Sequence, residues 1–112
     1  MNFAVVVIPA FNESALIADV VAQVRRVCPC VVLVDDGSSD GTADIARSAG
    51  AIVLRHAINL GQGAALQTGI TYALQLGAKA IVTFDADGQH DPDDIPSLLA
   101  VLESGAGAAL GS

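Results

Sequence analysis

The sequence is poor in positive charge. Its 112 residues hold five Lys and Arg against 12 Asp and Glu, a formal net charge of −7. Nucleic-acid binding depends on clustered cations, so that class of partner is excluded. An anionic nucleotide can still bind where a divalent metal neutralises it. Cysteine is scarce as well. Cys28 and Cys30 flank Pro29, too close for ordinary disulfide geometry and without the C-x-x-C spacing of redox or zinc sites, so both are expected as small buried residues. No apolar run approaches the roughly 18 to 20 residues that span a bilayer, so no membrane span is expected within the chain. The segment Met1 to Pro9 has no basic stretch and too short an apolar run for a signal peptide. The expected location is the cytoplasm, or the cytoplasmic face of a membrane for a longer parent protein.

Aromatic residues make up only 4% of a chain that is 53% hydrophobic, its apolar residues being mostly Ala, Val, Leu and Ile. That balance suits a parallel sheet covered by helices on both faces. Strands are expected over 3–8, closed by Pro9, and over 31–34, 51–55 and 80–84. Between them lie helical patterns. Asn12 is a candidate N-cap for a first helix with Leu16, Ile17, Val20, Val21, Val24 and Val27 on its apolar face, and Arg25 and Arg26 complement its dipole. Ser39 or Asp40 caps a second helix that Gly50 ends. A third helix faces inward with Ala65, Leu66, Gly69, Ile70, Ala73 and Leu74 and stops at Gly77. Asp91, with Pro92 at the first helical position, starts a fourth. The order β-α-β-α-β-α-β-α-β makes residues 1–112 a single domain, a three-layer α/β/α sandwich with a mostly parallel sheet. Ala106 to Leu110 begins a further strand with only Gly111 and Ser112 after it, so a truncated domain is expected.

Acidic groups cluster where these strands end. The strand before residue 85 stops at Asp85, Ala86 and Asp87, with Gly88 to release the backbone. Carboxylates at i and i+2 on a turning backbone can converge on one hard cation, Mg²⁺ or Mn²⁺, whose shell substrate phosphates complete. The second strand ends in adjacent Asp35 and Asp36, like charges that repel unless a ligand uses them. Asp40 and the neighbouring serines are explained by capping, and Asp91, Asp93 and Asp94 by a helix start. In the Asn59 to Gly63 loop, the glycines can serve close phosphate approach or tight helix packing.

Together, Val7-Ile8-Pro9-Ala10-Phe11-Asn12-Glu13, Val34-Asp35-Asp36-Gly37-Ser38-Ser39-Asp40-Gly41-Thr42, Asn59-Leu60-Gly61-Gln62-Gly63-Ala64-Ala65 and Asp85-Ala86-Asp87-Gly88-Gln89-His90 resemble the family 2 inverting glycosyltransferases. The likeness is to the polyprenyl-phosphate, dolichol-phosphate mannose synthase-like branch, and its motifs run in family order along essentially the whole chain. It implies a GT-A fold and a nucleotide-diphospho-sugar donor, a UDP- or GDP-sugar. By position, the resemblance places Pro9, Phe11 and Glu13 along the nucleoside pocket, Phe11 standing where many members have Tyr. It assigns one of Asp35 and Asp36 to reading the base, Asp85 and Asp87 to the metal, Ala86 to the ribose side and Gln89 to the diphosphate side. Gln62 departs from the Lys or Arg often found between the glycines.

The implied acceptor is a polyprenyl phosphate or a glycan. The catalytic base is expected beyond residue 112, and a phosphate acceptor, already an anion, can dispense with one. The rival reading is a receiver-like Mg²⁺-binding signalling domain phosphorylated on Asp85. It needs the acidic pair after the first strand and a Lys after a later one, and no Lys follows Lys79. A dinucleotide oxidoreductase is excluded because Pro9 to Glu13 contains no glycine.

Overall fold

The computed structural model describes residues 3–84. The expected fourth helix and fifth strand lie outside that range, as do Asp85, Ala86, Asp87 and Gln89. Within it the elements alternate as β1 (Ala4–Ala10), α1 (Ile17–Val27), β2 (Val31–Asp35), α2 (Thr42–Ser48), β3 (Ile52–Arg55), α3 (Gln62–Gln75) and β4 (Ala80–Thr83). All pairings are parallel, in the order β3-β2-β1-β4.

Side chains alternate across a strand, and here each face receives an apolar set. Val6, Ile8, Val31, Leu33 and Val82 meet Ile17, Val21 and Val24 of α1 and Ala46 of α2. Val5, Val7, Val32, Val34 and Ile81 meet Ala65 and Ala73 of α3. Val5 to Ile8 are fully buried, each contributing about 1.5–3 kcal/mol of transfer free energy. A strand coated on both sides reads as a continuous apolar run, which explains the sequence of β1. Among the described residues no helix is long and apolar enough to cross a membrane.

Two boundaries differ from the sequence expectation. Pro9 does not end β1: it pairs with Val34, and the strand runs on to Ala10. Val6 N donates to Cys30 O on the β2 side, whereas Val7 O accepts from Phe84 N on the β4 side. Alternation therefore turns the Pro9 nitrogen toward β4, whose last paired residue is Thr83, opposite Val7. The missing N–H falls where that ladder stops. Asn12 is not the N-cap of α1, which starts at Ile17 after a turn in which Leu16 and Ile17 N–H groups bond Glu13 O. Gly50 and Gly77 do close α2 and α3, at φ 108° and 91°.

The inward faces are narrower than expected. Leu16, Val27 and Leu74 are exposed. Helix α3 sits close to the sheet through Gly69, where a Cβ would lie 2.3 Å from Val7 Cγ1. Arg25 reaches the carbonyls of Pro29 and Ala49, both at 3.4 Å, which ties the end of α1 to the end of α2. Cys28 is buried and Cys30 half-buried, both as free thiols.

Candidate functional site

The strand order 3-2-1-4 places a topological switch point between β1 and β4, and in open α/β sheets ligands bind beyond the strand C-termini at such a point. A receiver would put β1 between β2 and β3. Here β1 lies between β2 and β4, and β3 is at the edge, so the receiver topology is not formed.

The loops after β1 and β2 are fastened to each other by polar groups. Asn12 N donates to Ser38 Oγ at 2.8 Å, and Asn12 Oδ1 accepts from Ser39 N at 2.9 Å. Glu13 N donates to Thr42 Oγ1 at 3.0 Å, and Ser14 N to Asp40 Oδ2 at 3.2 Å. Asp40 Oδ1 takes the Thr42 hydroxyl and, at 3.0 Å, the Thr42 amide, so Asp40 satisfies an amide of the first turn of α2 while Ser39 does not. The Thr42 hydroxyl chiefly, helped by Ser14, holds the Asp40 carboxyl down to about 2. Asn12 adopts φ 53°, a left-handed conformation that Asn tolerates better than most residues.

Asp35 and Asp36 are both buried, at 1% and 3% exposure, yet the structure gives them different surroundings. Both oxygens of Asp36 are engaged: Oδ1 by Leu60 N at 2.9 Å and His56 Nδ1 at 2.8 Å, Oδ2 by Gly61 N at 2.8 Å. His56 continues through Nε2 to Thr68 Oγ1 of α3 at 2.9 Å. Burial raises the Asp36 carboxyl, but the Leu60 amide, the His56 ring and the Gly61 amide outweigh it and leave it lowered. Asp36 therefore holds the β3–α3 loop in place. Asp35 has one oxygen committed, Oδ1 accepting from Ser38 N at 3.1 Å. Its Oδ2 has no hydrogen-bond partner among the described residues. Arg55 Nε stands 3.4 Å from it as an ion pair, out of hydrogen-bond alignment.

Pro9 lies within β1 against Val34, and Phe11 follows it, 45% exposed. Gly61 and Gly63 have open space where a Cβ would be, so tight packing does not explain them; Gly61 N instead serves Asp36 at φ 103°. Gly37 is crowded by backbone, with a Cβ position 2.6 Å from Asn59 N and Ile58 C at φ 80°. His56, Thr68 and Arg55 escaped the sequence reading. Arg55 was within reach of it, because the β2–β3 register sets Arg55 opposite Asp35. Among the described residues no group of three His, Cys, Asp or Glu side chains can hold a metal. Asp85, Ala86, Asp87 and Gln89 lie outside the described residues, and the chain enters them directly after Phe84 N bonds Val7 O beside the switch point.

Residues 5–112 match the model of glycosyl transferase family 2. The chain is 36% identical over 115 residues to the polyprenol monophosphomannose synthase of Mycolicibacterium smegmatis, covering 96% of this chain and 43% of that one. It is 37% identical over 111 residues to the UDP-N-acetylglucosamine-dolichyl-phosphate N-acetylglucosaminyltransferase of Methanococcus voltae, with 83% and 44% covered. The fold also matches a solved structure of glucosyl-3-phosphoglycerate synthase from Mycobacterium tuberculosis in complex with Mn²⁺, UDP and glucosyl-3-phosphoglycerate. The TM-score there is 0.78 at 26% identity, over 94% of this chain and 41% of that one. The chain thus spans less than half the length of these relatives. Strand order, strand-end loops and sequence agree, and the chain belongs to glycosyl transferase family 2, with the GT-A fold.

Proposed function

We propose that residues 1–112 form a single donor-binding domain of a glycosyltransferase, one that transfers a sugar from a nucleoside-diphospho-sugar to its acceptor with inversion and with the aid of a divalent metal. The observation that carries this reading is the Asp35 Oδ2 atom at the C-terminal end of β2, a buried carboxylate oxygen that has the Arg55 ion pair but no hydrogen-bond partner among the described residues. Leaving such an oxygen unmatched costs about 1–3 kcal/mol or more, a cost that a ligand N–H removes. Asp35 then reads the base, since Asp36 already takes three donors from His56 and the β3–α3 loop. Pro9, Phe11 and Glu13 line the nucleoside side from the β1 loop, and Ala86 and Gln89 serve the ribose and diphosphate sides.

Asp85 and Asp87 supply hard carboxylate oxygens, a donor set that fits Mg²⁺ or Mn²⁺. The bound metal supplies Lewis-acid stabilisation of charge on the departing nucleoside diphosphate. This chain's own part is to seat the donor: Asp35 fixes the base, and the fastened β1 and β2 loops hold the pocket in shape before the ligand arrives. A polyprenyl phosphate is the acceptor class that the relatives' names favour. As an anion it attacks without a general base from these residues.

Calorimetry with nucleoside diphosphates and Mn²⁺ tests the reading. Asp85→Asn and Asp87→Asn are expected to abolish metal-dependent binding while the chain stays folded. Unchanged affinity in both variants would refute the metal assignment.

A further inference from the structure

We propose that the outer edge of β3 is a self-association surface, on which a second copy of this chain lays its own β3 antiparallel to the first and joins the two sheets into one across a two-fold axis.

Strand β3 ends the order β3-β2-β1-β4, at the far side of the sheet from the β1–β4 switch point. His56 N donates to Asp35 O at 2.9 Å, toward β2, so alternation turns Leu54 the same way and sends the N–H and C=O of Val53 and Arg55 outward. Among the described residues these four groups have no hydrogen-bond partner. The strand is also thinly covered on one face. Helix α2 packs on β3, whereas α3 lies chiefly over β1 and β2. Val53 therefore joins the core beneath α1 and α2, while Leu54 and the 37% exposed Ile52 take the α3 side. There Leu54 borders an open groove of about 640 Å³ whose other wall is Gln67, Thr71, Tyr72 and Gln75 of α3.

Charge decides what suits this edge. The chain holds 12 Asp and Glu and five Lys and Arg, yet residues 56–78 contain none of either sign. A surface helix ordinarily carries charge on its solvent side, and α3 carries none. Arg55 is the one charged residue lining the groove, and Asp35 at 3.4 Å balances it. Two molecules of net charge −7 can thus meet here without opposing like charges, and interface cores are depleted of charge in the same way. A basic partner would be drawn to the acid-rich faces instead.

Symmetry fixes the register. Residues opposed in a sheet share a face, so the two-fold axis must pass through a residue paired with itself. Leu54 is the choice that uses every outward group: Val53 exchanges two hydrogen bonds with the partner's Arg55, and Arg55 two with the partner's Val53. Leu54 then meets the partner's Leu54 as a non-hydrogen-bonded pair with Cα atoms about 4.5 Å apart, and the two grooves join into one trough. One four-residue strand and a helix flank make less than a standard interface of about 1,600 Å², so the expected Kd is on the order of 10–100 μM.

Sedimentation of the purified chain between about 5 and 500 μM is the first test, and the mean mass should rise toward twice that of the monomer. A monomer throughout overturns the proposal and leaves the edge to other chain segments or to solvent. Val53→Pro removes an N–H that faces outward and so leaves the monomer's own ladder intact. It should weaken association at least tenfold with the melting temperature unchanged, and dimerisation as strong as before would place the interface elsewhere and overturn the proposal. Leu54→Cys, in a Cys28→Ala, Cys30→Ala background, checks the register. Diamide, which takes up the two thiol hydrogens, should link two copies through this position, because Cα atoms about 4.5 Å apart suit a disulfide. Val53→Cys in the same background should not link, since its opposite number is Arg55. Equal crosslinking of the two variants, or none in Leu54→Cys, overturns the proposed pairing.

Discussion

Replacing either member of the acidic pair by its amide should have opposite consequences, although the two residues are adjacent and similarly buried. In Asp36→Asn the side chain keeps one acceptor oxygen where three donors converge at 2.8–2.9 Å. If that oxygen stays with Leu60 and His56, the new amide group meets the Gly61 N–H donor to donor. A hydrogen bond to a charged group contributes about 1.5–3 kcal/mol, and the bonds that survive lose their charge assistance. The expected cost is about 3–4 kcal/mol, a large share of the 5–15 kcal/mol typical of a domain, and a drop of roughly 10–15 °C in melting temperature. In Asp35→Asn the Ser38 bond survives and the other oxygen made no hydrogen bond, while removal of a buried charge offsets the lost Arg55 pair. The expected cost is below about 1 kcal/mol. Urea denaturation followed by circular dichroism measures both. The pH dependence adds a check. Asp36 is lowered from 3.8, so its folded carboxyl binds its proton less readily than the unfolded one. Its stabilisation is complete above 3.8 and fades as pH falls through the lower folded value, and Asp36→Asn should lose that part of the acid dependence. Equal costs for the two variants would refute the division of labour.

Further outcomes follow from packing and burial. Gly69→Ala places a methyl 2.3 Å from Val7 Cγ1 and 3.1 Å from Val34 Cγ2, both β-branched side chains with little freedom to turn away. Overpacking should outweigh the roughly 1 kcal/mol gain in helix propensity and leave a net loss of about 1–2 kcal/mol in chemical denaturation, and a stabilised variant would contradict the close α3–sheet contact. Burial pushes both cysteine thiols up, with Cys28 adding to the effect on Cys30. Iodoacetamide labelling at neutral pH should therefore be slow, and the half-buried Cys30 should react before the buried Cys28; the reverse order would contradict the placement of residues 28–31.

The fold was legible because apolar runs and turn residues sufficed to mark it. Val5 to Ile8 and Val31 to Val34 have no polar face to offer solvent, and Gly50 and Gly77 sit where helices must stop. The boundaries that differed were set by partners distant in sequence. Pro9 continues β1 because β4 ends beside it, a fact about residues some seventy positions away. Asn12 gives its side chain to Ser39 and its amide to Ser38, so a loop across the sheet end claims a residue that sequence alone assigns to a cap. The site was legible as an acidic pair, but its division was not, because the groups that occupy Asp36 come from residues 56 to 61 and the one that occupies Asp35 comes from residue 38.

Strand geometry explains why an adjacent pair is useful at this position. Successive side chains leave a strand on opposite faces. Val32 and Val34 face α3, so Asp36 continues that face and finds His56, the β3–α3 loop and, through His56, Thr68. Val31 and Leu33 face α1 and α2, so Asp35 continues the other face and finds Ser38 and Arg55. One acid then holds the β3–α3 loop, while the other keeps one oxygen whose sole neighbour among the described residues is the Arg55 ion pair. The surrounding loops are held by side-chain bonds to backbone amides, not by apolar packing, and the carboxylates that make them titrate low, Asp40 at about 2 and Asp36 below 3.8. Both remain ionised well below neutrality, so the loops on either side of Asp35 stay fastened across that range. In the donor-site reading proposed above, the binding free energy of the base would go to recognition and not to ordering the loops.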